Sequence, residues 1–131
     1  MLSSRAFLAR ANQLQECGHY PAPFAPGSRV ARGYADLGVE EFCVIAPDKI
    51  VSLLNGKVSE MPEQHRQFFF LVPAFSQMVQ SLAVSGYDIL AITYHEQRRW
   101  EVKLKRVRDG ADLEFQHEEI ECALADALLG L

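Results

Sequence analysis

The chain has 131 residues, 49% of them apolar and 23% charged, with a formal net charge of −4 at pH 7. That length suffices for one domain with its own buried core, and the composition is that of a globular protein rather than a disordered or collagenous one. No apolar run exceeds five residues, far short of the roughly 18 needed to cross a bilayer, so no membrane partner is expected.

The first twelve residues, MLSSRAFLARAN, intersperse arginine with apolar residues. They are expected to form an amphipathic helix rather than a secretory signal, which would need an unbroken apolar core and a cleavage site. Ser3 or Ser4 can cap this helix, Phe7, Leu8, Ala11 and Leu14 supply its apolar stripe, and Gly18 its left-handed stop. Residues 19–28, HYPAPFAPGS, hold three prolines and one glycine. The expectation is an extended, polyproline-like strap laid over the core and pinned by Tyr20 and Phe24, in preference to a docking segment for an aromatic groove.

Arg29–Tyr34 is expected as a short strand, Asp36-Leu37-Gly38 as a turn, and Phe42–Ala46 as a buried strand rich in β-formers. Pro47 and Asp48 suit the first turn of a helix, with Ile50, Val51, Leu53 and Leu54 as its apolar face and Asn55-Gly56 as its end. Pro62-Glu63 opens a second segment, expected to be helical through about Phe69, and Pro73 must break it. Phe75, Met78, Val79 and Leu82 then trace another helical stripe that stops at Ser85-Gly86.

The last third predicts a meander. Ile89–Tyr94 and Arg99–Val107 form strands joined at Glu96-Gln97-Arg98, Asp109-Gly110 makes a turn, and Leu113 and Phe115 mark a third strand. Ile120, Ala123, Leu124, Ala127 and Leu128 recur at helical spacing, giving a final helix that covers the apolar face of the meander. The fold class expected is therefore α+β, in a single domain: an antiparallel sheet of three to five strands with amphipathic helices at both chain ends packed on one face.

Arg98–Arg108 (RRWEVKLKRVR) holds six of the thirteen Lys and Arg residues and carries +5, so the other 120 residues carry −9. Strand alternation turns Trp100, Val102 and Leu104 to the core, and Glu101, Lys103 and Lys105 to solvent. Arg98, Arg99, Lys103, Lys105, Arg106 and Arg108 are the candidate partner-binding surface. In its favour as a nucleic-acid site, a two-stranded ribbon fits the major groove and cations neutralise phosphates. Against it, the whole chain is acidic, with a pI near 5.5. An ordinary solvated face, on which lysine also blocks edge-to-edge aggregation, accounts for the same residues.

Other chemistry finds little footing. Cys17, Cys43 and Cys122 are odd in number and have no CxxC spacing, which argues against a disulfide framework or a zinc ribbon. They read as buried hydrophobes in a reducing compartment. His19, His65, His95 and His117 show no close ligand pair. His117-Glu118-Glu119-Ile120-Glu121 departs from HExxH where Glu121 replaces the second imidazole. His117 with Glu118 and Glu121 is a cation site only if the acidic first turn does more than complement the helix dipole. There is no GxSxG, GxxxxGK[ST] or GxGxxG string. Asp88, Tyr94, His95 and Glu96 gather near one hairpin, and Phe68–Phe75 concentrates aromatic side chains.

Three functions follow in order of expectation. The first is a cytoplasmic, bacterial-type binding or regulatory module without catalysis, cofactor or metal, acting on a protein partner or a second copy of itself. The second is nucleic-acid binding through the hairpin. The third is a small-molecule protein or enzyme with a pocket near Tyr94, His95 and the Phe68–Phe75 segment.

Overall fold

The computed structural model describes residues 2–34 and 38–130, which divide after Pro73 into two compact units. The fold is α+β, with a five-stranded and a three-stranded antiparallel sheet and three α-helices among those residues. Of the turn expected at Asp36-Leu37-Gly38, the first two residues lie outside the described part.

In the first unit, α1 (Arg5–Glu16) is capped by Ser4, whose Oγ accepts from the Phe7 amide at 3.1 Å. It buries Phe7, Leu8, Ala11 and Leu14, and ends as Gly18 turns to a φ of +90°. The strap over 19–28 is bent rather than extended, and two backbone bonds tie it to the sheet: Gly27 N–H to the Val44 carbonyl (2.7 Å) and Val44 N–H to the Ser28 carbonyl (2.9 Å). Phe24 is buried and Tyr20 packs against the same core, so both anchors hold.

The strands are β1 (Arg29–Tyr34), β2 (Gly38–Ala46), β3 (Lys49–Ser52), β4 (Val58–Glu60) and β5 (Phe69–Val72), in the spatial order β4-β3-β2-β1-β5. The helix expected from Pro47 to Leu54 is instead β3. Pro47 and Asp48 connect β2 to β3, pairing Ala46 with Lys49, and Asn55-Gly56 lies in the turn to β4. Eight residues make a marginal helix, whereas as a strand Ile50 pairs with Val44 and is buried. The segment after Pro62 is a short 3₁₀-helix, Glu63–Phe68, and Phe69 already belongs to β5. All four β5 residues are buried because the strand is covered on both faces. Phe69 and Leu71 join Phe24, Val30, Phe42, Val44, Ile50 and Met61 in the core beneath the strap, while α1 packs along β5.

In the second unit, α2 (Phe75–Val84) buries Met78 and Leu82 and stops at Gly86, whose φ is +90°. The meander follows as β6 (Tyr87–His95), β7 (Arg99–Arg106) and β8 (Asp112–His117), with β7 in the middle. Then α3 (Ile120–Leu129) buries Cys122, Ala123, Leu124, Ala125, Ala127 and Leu128. The helices α2 and α3 pack on each other and on the face that carries Val102 and Leu104, both fully buried. No helix of the described residues is long and apolar enough to cross a membrane.

Candidate functional site

The basic ribbon is β7 with its two flanking turns, and the structure separates its cations. Arg99, Lys103 and Lys105 are exposed on the outward face of the sheet, as the alternation predicts. Arg98 and Arg108 sit in the turns at opposite ends of the strand. Arg106 lies on the other face, with Val102 and Leu104, its guanidinium 3.0 Å from Asp109 Oδ2 and 6.0 Å from the Tyr87 ring centre. Its pKa is raised, by Tyr87 first and Asp109 second. The six candidates therefore do not form one surface.

The three outward cations stand among carboxylates. Across the sheet, Lys105 pairs with Asp88 on β6 and Asp112 on β8, and Lys103 with Ala91 and Glu114. Glu101, expected in solvent, is only 7% exposed. As a residue of the middle strand it lies between Thr93 and Gln116, and it accepts a 2.9 Å bond from Gln116 Nε2. His95 Nε2 is 3.5 Å and Lys103 Nζ 3.6 Å from its carboxylate. Three cations against the four carboxylates of Asp88, Glu101, Asp112 and Glu114 give no net positive face.

Tyr94 and His95, expected beside a pocket, turn to opposite faces of β6. Consecutive strand residues point to opposite faces, and Tyr94 packs at a tilt against half-buried Trp100 (centroids 5.0 Å apart) while His95 meets Glu101 on the other side. Asp88 lies on His95's face but seven residues along β6, roughly 20 Å away at strand rise, so the acid–base group is not assembled.

Two other places bring polar side chains together. The first is a groove of about 350 Å³ in the five-stranded sheet, lined from β1, β2, β3, the β3–β4 hairpin, the 3₁₀ segment and the start of β5. Its floor is Phe42, Ile50 and Phe69, all buried, with Phe42 and Phe69 in edge contact at 5.7 Å. Cross-strand register places Arg32 beside Glu40 on one side and Phe69 on the other. The Arg32 guanidinium lies 5.3 Å from the Phe68 ring centre and 5.8 Å from that of Phe69, within cation–π range. Glu40 accepts from Ser52 Oγ at 2.7 Å. Lys57, Ser59, Glu60, Asn55 and His65 complete the rim. Of these groove residues only Phe69 falls in the sequence-predicted pocket. The signal for the β3–β4 side was Asn55-Gly56, the strongest short hairpin dipeptide, which lies in the turn from β3 to β4 with Gly56 at a φ of +71°.

The second is the junction of β8 and α3. The cation triad considered there was His117 with Glu118 and Glu121. The structure instead gathers His117, Glu119 and Cys122, whose ligand atoms all lie within 4.8 Å of one another.

No family model matches this chain, and no curated protein or solved structure matches it.

Proposed function

We propose that the protein is a binding module that takes a compact ligand, an apolar body with an anionic head group, in the groove of its five-stranded sheet. The groove itself carries the reading. At about 350 Å³ it lies within the roughly 300–1,000 Å³ of small-molecule sites, and it sets an apolar floor beneath a few charged groups. Phe42, Ile50 and Phe69, 3–6% exposed, would give the ligand's body a small apolar floor to rest on. Arg32, its guanidinium within cation–π range of Phe68 and Phe69, suits a carboxylate or phosphate, for which a planar fork of donors is matched in shape. Lys57 and His65 stand on the same rim. Glu40, held by Ser52, and Glu60 accept hydrogen bonds and select against a second negative charge. The basic ribbon does not compete for such a ligand, because its outward cations already face Asp88, Asp112 and Glu114.

The test is a thermal-shift screen of small carboxylates and phosphates with apolar bodies, followed by amide chemical-shift mapping. A ligand at about 100 times its Kd should stabilise the fold by about 2.7 kcal/mol. Its shifts should map to β1, β3 and β4, and Ser59→Trp, which fills the groove from an exposed position, should abolish them. A screen without a hit, or shifts centred on residues outside the groove, rejects the reading.

A further inference from the structure

At the β8–α3 junction, three donors of three chemical kinds come from six consecutive residues. His117 ends β8, Glu119 is the N-cap of α3 and Cys122 lies in its first turn. We propose that His117, Glu119 and Cys122 form a binding site for a zinc-type divalent ion. This site shares no residue with the groove and does not depend on the function proposed for it.

The donor set selects the metal class. A thiolate with an imidazole favours zinc over magnesium or calcium, which prefer all-oxygen shells. Metal bonds of about 2.0–2.3 Å require donors to stand within about 4 Å of one another, and a mutual limit of 4.8 Å leaves only small side-chain rotations to close the site. Two contacts already draw the three groups together: the Cys122 thiol donates to Glu119 Oε2 (3.6 Å), and His117 Nδ1 accepts from the Glu119 amide (2.9 Å). Burial is graded, with Cys122 enclosed and His117 and Glu119 half-buried. Solvent therefore reaches the site from the imidazole and carboxylate side, and the thiolate is shielded.

Binding has a definite proton balance. The Cys122 thiol loses its proton to solvent and the sulfur bonds the ion. The Glu119 carboxylate then exchanges the thiol hydrogen for the metal. His117 gives one ring nitrogen to the metal, and if that nitrogen is Nδ1 the Glu119 amide gives up its 2.9 Å bond in exchange. Three protein ligands leave the fourth tetrahedral position to water, as in open zinc sites.

Cobalt(II) titration of the full chain tests the site, because a cobalt–thiolate bond gives a near-ultraviolet charge-transfer band and tetrahedral coordination gives intense visible bands. One equivalent of cobalt should bind with both features, zinc should displace it, and Cys17→Ser with Cys43→Ser should leave them unchanged. Cys122→Ser should abolish the charge-transfer band. His117→Ala and Glu119→Gln, at half-buried positions where folding is checked by circular dichroism, should each weaken affinity at least about tenfold, since loss of even an outer-shell partner costs about 10–100-fold. No charge-transfer band in the parent chain, or a band that survives His117→Ala and Glu119→Gln at unchanged affinity, overturns the proposal.

Discussion

Glu101 holds a carboxylate on the outward face of a middle strand, where Gln116 donates to it at 2.9 Å and His95 Nε2 stands 3.5 Å away. Its ion pair with half-exposed Lys103 at 3.6 Å contributes little, as solvent screens it. The hydrogen-bonded burial matters more: Glu101→Ala removes the acceptor of the Gln116 amide and the carboxylate beside the buried His95 nitrogen. We expect a loss of about 1–3 kcal/mol, seen as a lower urea midpoint at unchanged m-value, with a smaller loss for Glu101→Gln, which keeps an acceptor. An unchanged midpoint for Glu101→Ala refutes this account. Sequence alternation assigned Glu101 to the correct face. It could not give its burial, because alternation fixes where a Cβ points and not what Thr93, His95 and Gln116 on neighbouring strands place around it.

Between β7 and β8 the turn is held by one side chain: Asp109 Oδ1 accepts from the Ala111 amide and Oδ2 from Arg106, both at 3.0 Å. The Ala111 amide, and after it Arg106, holds the Asp109 carboxyl below its ordinary value. A carboxylate with a depressed folded pKa contributes stability that is present above its unfolded value and lost as pH falls through the folded one. Wild type and Asp109→Ala should thus differ in Ala111 amide protection near neutral pH and converge in acid. A difference that persists below the folded pKa of Asp109 rules out the charge as its cause. This turn was legible in Asp109-Gly110, because an Asp side chain bonds the backbone two residues on and Gly110 takes its φ of +72° at little cost. The β2–β3–β4 hairpins were less so. Pro47-Asp48 carries the same residues as a helix start, and Lys49-Ile50-Val51-Ser52 is too short to show a period of two against a period of 3.6.

Across the whole molecule, two things limited legibility: the shortness of β3 and the sequence distance between β1 and β5. The meander and its covering helices are local, and composition, turns and periodicity located all of them. In the other sheet β5 pairs with β1, Val72 beside Arg29, and that long-range pairing brings Phe69 across from Arg32 and builds one side of the groove. No local pattern in the sequence encodes it. The N-terminal unit has a core of Val30, Phe42, Val44, Ile50 and Leu71, and the C-terminal unit buries Met78, Leu82, Val102, Leu104 and Leu124. No strand among the described residues belongs to both sheets. Leu104, fully buried in β7, is the probe: Leu104→Ala should cost about 2–5 kcal/mol through the cavity it leaves. Native-state hydrogen exchange should report that loss in β6, β7 and β8, while the amides of β1 and β2 keep their protection. Equal loss in both sheets would instead establish that the 131 residues unfold as one cooperative domain.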